Sequence, residues 1–115
     1  GVVALILIVL WAIAIGPEDD MDMRRKEIIA AAKACEQGDG VVILTDMFGG
    51  TPSNLGISLI EENTVEVITG VNLPMLIKAA SLREAPDLLA VAREMREHAR
   101  TAIWVASDLM RASKA

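Results

Sequence analysis

Residues 41–54 read VVILTDMFGGTPSN, and that order of residue types leaves the backbone few choices. Val41 to Leu44 are apolar and mostly β-branched, as expected of a strand covered on both faces. Thr45 and Asp46 then place polar groups at its carboxyl end. Gly49 and Gly50 permit a turn with positive φ. Thr51 followed by Pro52 is the pattern of an N-cap and a first helical residue. A strand, a glycine turn and a helix in that order predict an α/β chain whose chemistry gathers at the carboxyl end of a strand. Free N–H groups of the new helix would point back toward Asp46 and receive an anion there.

A chain of 115 residues is one domain, residues 1–115, with one core. Its residues are 53% hydrophobic and only 3% aromatic, so Ile, Leu, Val, Ala and Met must build that core. Val2 to Ile15 form an unbroken apolar run. It is shorter than the roughly 20 residues a membrane helix needs, and it has no initiator Met or basic leader before it. Buried strand is the expectation, and direct membrane insertion is not. The run is long for one strand, where about five or six residues are usual, and has room for two.

Gly16 and Pro17 stop the run, and Glu18, Asp19 and Asp20 supply cap and first-turn carboxylates for a helix. Met21, Arg25, Ile28, Ile29, Ala32 and Cys35 recur at helical spacing. That helix should end at Gly38, with Asp39 and Gly40 turning into the strand at Val41. Beyond the junction, Ser53 to Glu62 reads as a short helix with Leu55 and Leu59 on one face, followed by a turn at Asn63. Thr64 to Thr69 is a second strand, and GVNLP (Gly70 to Pro74) is a second strand-to-helix loop, its helix running from Pro74 to about Ser81. Arg83 to Pro86 connect to a long final helix capped by Asp87. Leu88, Ala92, Met95, Ala99, Ala102, Ala106 and Leu109 trace its buried stripe.

The charge balance, 16 acidic against 11 basic residues for a net −5, provides no basic stripe for a phosphate backbone and argues against nucleic acid. A single Cys35 cannot form an internal disulfide and suits a reducing compartment. One His and one Cys far apart do not make a metal site, and no metal or other cofactor is expected. The spacings of a dinucleotide-binding turn, a P-loop and a serine-hydrolase elbow are all absent. His98, beside Arg96, Glu97 and Arg100, reads as a surface histidine. What is left is Asp46 at a strand end beside a glycine nest, a layout able to orient an imidazole and receive a phosphoryl group. Local chemistry leaves a second reading open, in which Asp46 caps the turn and the glycines merely permit it.

TDMFGGTPSN, followed after a short helix by VEVITGVNLPMLIKAA and preceded by GPEDDMDMRRKEI, resembles the IIA component of the mannose-type sugar phosphotransferase system. The resemblance runs from about Ile13 to the C-terminus. It implies an α/β fold with a mainly parallel open sheet and helices on both faces, a cytoplasmic location and a homodimer. It also implies partners: phosphohistidine on the carrier HPr as donor, and a IIB component as acceptor. By the same resemblance, Asp46 orients the acceptor imidazole, Asp46 and Thr51 are catalytic, and Phe48, Gly49, Gly50 and Thr51 hold the phosphate. Val71, Asn72, Leu73 and Pro74 flank the pocket. Phe48 and Asn72 are therefore expected to line it together, with the two loops side by side on adjacent parallel strands.

The chain departs from the family at its start. The acceptor histidine of the family lies in a Thr-His-Gly turn after the first strand, and this sequence contains no such turn. Val2 to Ile15 takes the place of both early strands, so the first strand-helix unit is missing or shortened. His98 does not match the acceptor. Two functions stay open: a phosphocarrier whose acceptor histidine is not in this chain, or a non-catalytic regulatory or binding module that keeps the fold and the dimer surface.

Overall fold

The computed structural model describes residues 15–16, 18–36, 38–47, 51–82 and 87–114, with the side chains of 51–53 and 112–114 left out of the description. Most of the apolar N-terminal run and the Arg83 to Pro86 connection therefore lie outside the described residues. In chain order the elements are α1 (Met21–Cys35), β1 (Val41–Thr45), α2 (Thr51–Ile57), β2 (Val65–Thr69), α3 (Leu73–Ser81), α4 (Leu88–Thr101) and α5 (Ala106–Lys114). Together they form the expected α/β fold.

The acidic residues before α1 are used locally. Asp20 caps the helix, its Oδ1 accepting from the Asp22 N–H at 2.9 Å and the Met23 N–H at 3.5 Å. Asp19 instead accepts from the Gly16 N–H at 2.7 Å and from Arg24 Nε at 3.0 Å. Those bonds, the backbone one first, hold its carboxyl below the ordinary aspartate value. Ile28 and Ala31 are the buried residues of α1. The helix stops at Cys35, short of Gly38, and Glu36 closes the turn by accepting from the N–H groups of both Gly38 and Gly40. Gly40 has φ +91°, and a Cβ there would lie 2.9 Å from Leu88 Cδ2 and 3.1 Å from the Asn63 and Thr64 carbonyl oxygens. Only glycine lets α4 begin so close to the foot of β1.

β1 and β2 pair in parallel, Val41 with Val65 through Thr45 with Thr69. Residue alternation separates the two faces of the pair. Val42, Leu44 and Ile68 join the core of Met75, Leu82, Ala92, Met95 and Ala99 supplied by α3 and α4. On the opposite face, a Cβ at Gly56 of α2 would touch Ile43 and Val67 at 3.5 Å. Helices thus cover both faces, although most residues of the strands stay half-buried rather than fully buried.

Three further helices differ from expectation. α2 begins at Thr51 itself, so Thr51 is the first helical residue rather than the cap before it, and it ends at Ile57 instead of Glu62. Gly56 and Ile57 are weak helix formers, and the Ser58 hydroxyl takes the Leu55 carbonyl at 2.6 Å. Glu61 then bridges to Val65, and Asn63 turns with φ +59°. α3 starts one residue early, at Leu73, with Asn72 as its cap. The final helix is two helices. Leu88, Ala92, Met95 and Ala99 are buried in α4 as the stripe requires, but the helix ends at Thr101, with Ala102 as its cap at φ −92° and ψ 3°. Ala106 and Leu109 lie on α5 and are exposed. The run Thr101 to Val105 holds three β-branched residues and Trp104, which favour helix poorly; the spacing of alanines continued past it without a core to face.

Candidate functional site

Because β1 and β2 run parallel in direct register, the loops that follow them emerge at one edge, as the two sequence motifs predict. The Val71 N–H donates to the Thr45 carbonyl at 2.9 Å, so the second loop is stitched to the end of the first strand. Asp46 stands at this edge, exposed. Its Oδ1 accepts from the next N–H along the chain, that of Met47, at 2.9 Å. One carboxylate oxygen is thus used within the turn, and the residue as a whole is open to solvent.

Phe48, Gly49 and Gly50 lie outside the described residues, as does the side chain of Thr51; the backbone of Thr51 opens α2. The expected shared pocket of Phe48 and Asn72 falls in the same region. In the second loop, Gly70 turns with φ +82°, Val71 packs against the core, Pro74 is half-buried and Leu73 is 68% exposed. Asn72 is committed to the scaffold at both ends of its amide. Its Oδ1 accepts from the Met75 N–H at 3.0 Å, capping α3, and its Nδ2 donates to the Ala99 carbonyl at 3.2 Å.

That second bond satisfies one of the terminal carbonyls of α4 and draws the C-terminal turn of α4 to the loop edge. His98, exposed on that turn, comes with it. Sequence reasoning missed this bracket, although an Asn followed by Leu-Pro carried the capping signal. It placed Thr45 as a polar group at the strand end but did not foresee that the residue is buried, at 6% exposure, with no hydrogen-bond partner for its Oγ1 among the described residues.

Among the described residues no three His, Cys, Asp or Glu side chains are grouped to hold a metal ion, and no helix is long and apolar enough to cross a membrane. The edge instead offers an exposed carboxylate, a buried hydroxyl and a second loop tied by one backbone bond to the end of β1. Such a surface can orient and bind a polar group.

Comparison with known proteins bears on which group. The family model described as "PTS system fructose IIA component" matches residues 9–96. That span includes both strands and both loops and stops before His98 and α5. The protein of Bacillus subtilis (strain 168) named "PTS system fructose-specific EIIA component" is similar to this chain, with 34% identity over 79 residues, covering 68% of this chain and 54% of the relative. The chain thus spans about half the length of that relative.

Proposed function

Since the chain belongs to the IIA family of the sugar phosphotransferase system, we propose that it is a phosphocarrier domain, residues 1–115, that relays a phosphoryl group from phospho-HPr to a IIB component in the cytoplasm. The observation that supports this reading is the parallel register of Thr45 with Thr69, which gathers the two family loop motifs at one edge with Asp46 between strand and turn. In this reading Asp46 accepts a hydrogen bond from one imidazole nitrogen so that the other is free to attack phosphorus. Gly49, Gly50 and Thr51 receive the phosphoryl oxygens, and Phe48 and the Val71 to Pro74 loop wall the pocket.

The sequence holds one histidine, His98, on α4 and outside the family match. The acceptor imidazole of this reading is therefore not one of these 115 residues. That observation favours a second reading, a regulatory or binding module that keeps the fold and partner surfaces without a phosphohistidine of its own. Incubation with phosphoenolpyruvate, the general phosphotransferase enzyme and HPr separates the two. Acid-labile phosphate on a protein that contains these residues together with an acceptor histidine supports the carrier, and its absence under conditions that label HPr supports the module.

Both readings include a homodimer. Ile103, Trp104, Val105, Leu109 and Met110 are each at least 50% exposed, an apolar stretch that a second copy would cover. A stable monomer in sedimentation at micromolar concentration would remove that element of the proposal.

A further inference from the structure

Thr45 ends β1 with its carbonyl occupied by the Val71 N–H and its hydroxyl buried without a partner among the described residues. Buried hydroxyls in folded proteins nearly always find one. Valine has the same shape and would fill the position without leaving a polar atom unsatisfied, so packing alone does not account for a threonine here. Alternation along β1 puts Thr45 with Ile43 on the face that α2 covers, and Thr69 is its register partner on β2. The next residue is the exposed Asp46. An unsatisfied donor therefore lies just inside the edge where both loops meet.

We propose that the Thr45 hydroxyl is a binding group for the phosphoryl oxygens handled at this edge, an addition to the phosphocarrier reading on which it rests. The hydroxyl donates its proton in a hydrogen bond to an anionic oxygen of a tetrahedral phosphate, and no covalent bond forms at Thr45. Because the hydroxyl is buried in the free chain, taking up the anion requires a local opening beside the end of β1. Once formed, the bond lies in a desolvated setting and is charge-assisted, both of which strengthen it.

The test compares Thr45→Val and Thr45→Ser with the parent chain in two measurements: urea unfolding without phosphate, and an amide-shift titration with inorganic phosphate followed at Thr45, Asp46, Met47 and Val71. Thr45→Val should unfold at an equal or higher urea concentration and bind phosphate roughly tenfold more weakly. Thr45→Ser should bind within about twofold of the parent, since it keeps the donor. Parent-like phosphate binding by Thr45→Val overturns the proposal and leaves the anion site itself intact. Equal losses in both variants assign the effect to shape and overturn it as well. So does a clear loss of stability in Thr45→Val, which would mean that the hydroxyl has its partner inside the fold. A parent chain that gives no response to phosphate overturns it together with the anion reading of the edge, whatever the phosphorylation assay shows.

Discussion

The two loops at the carboxyl edge are built in opposite ways. The loop after β2 is tied down at every step: Val71 donates to β1, Asn72 caps α3 and holds the end of α4, and Met75 beneath it is 2% exposed. The described start of the loop after β1 has Asp46 and Met47 exposed and Thr45 buried with an unsatisfied hydroxyl. Polar groups in the second loop are consumed in holding helices in place, whereas at the described start of the first the Thr45 hydroxyl has no partner and Asp46 is exposed with one oxygen held by the Met47 N–H. Under the proposed function, the second loop is scaffold and the first is working surface.

If the second loop is scaffold, removing its anchor should cost the most. Met75→Ala leaves a cavity where α3 and α4 meet β2, and should destabilise by about 2–5 kcal/mol. Urea unfolding would show it as a large drop in midpoint with little change in slope. A loss below about 1 kcal/mol would mean that the α3–α4 core is not what fixes the loop.

Asn72→Ala comes next. It strips the cap of α3 and leaves the Ala99 carbonyl only the longer, 3.4 Å bond from the Ala102 N–H, for an expected loss of about 1–3 kcal/mol. Asn72→Asp keeps the capping oxygen but not the donor, so it should recover only part of that loss. If Asn72→Ala leaves stability unchanged and instead abolishes phosphate binding, the contrast between the loops is reversed, and Asn72 belongs to the working surface.

Two carboxylates sharpen the same contrast. Asp19 is committed, bonded to the Gly16 N–H and to Arg24, and its pKa is lowered. A depressed folded-state value stabilises above the unfolded aspartate pKa of about 3.9. That contribution is lost as pH falls through the folded value. Asp19→Asn should therefore lower the unfolding midpoint at neutral pH, and the gap from the parent should close as pH falls below about 4. A gap that persists unchanged at low pH would show that the charge of Asp19 is not what matters.

Much of this arrangement was legible in the sequence. The strands, their parallel adjacency and the meeting of two loops at one edge follow from β-branched runs ending in glycine-bearing turns with a helix between. The acidic cap of α1 and the buried stripe of α4 were legible for the same reason: they depend on residues a few positions apart. What the sequence did not disclose depends on partners distant along the chain. The Asn72–Ala99 bond spans 27 residues, and no local pattern announces which carbonyl an asparagine will find. A threonine at a strand end reads the same with or without a partner for its hydroxyl, so Thr45 was visible only as a polar group at the end of its strand. The break between α4 and α5 is the converse case. Alanine spacing carried the stripe onward by arithmetic, while the conformational preferences of Thr101, Ile103, Trp104 and Val105 ended the helix.

Asp46 carries the smallest expected effect on stability and the most direct test of the first loop. Asparagine keeps the Oδ1 acceptor that the Met47 N–H uses, so Asp46→Asn should change folding stability by no more than about 0.5 kcal/mol. Its effect on an anion is different in kind. Under the proposed function, with no acceptor imidazole to occupy it, the Asp46 carboxylate is a negative charge beside the proposed phosphate position and opposes that phosphate. Neutralising it should strengthen phosphate binding roughly threefold at low ionic strength, with the gain shrinking as salt screens the charge. In a IIA protein that has its histidine, the same substitution removes the partner that orients the imidazole and should impair phosphoryl transfer instead. The measurement is an amide-shift titration with inorganic phosphate on both forms, read at residues 49–51 as well as at Asp46 and Met47. Amides that respond in neither form would make Asp46 and its glycines a turn and nothing more, and the contrast between a working loop and a scaffold loop would then fail at its first member.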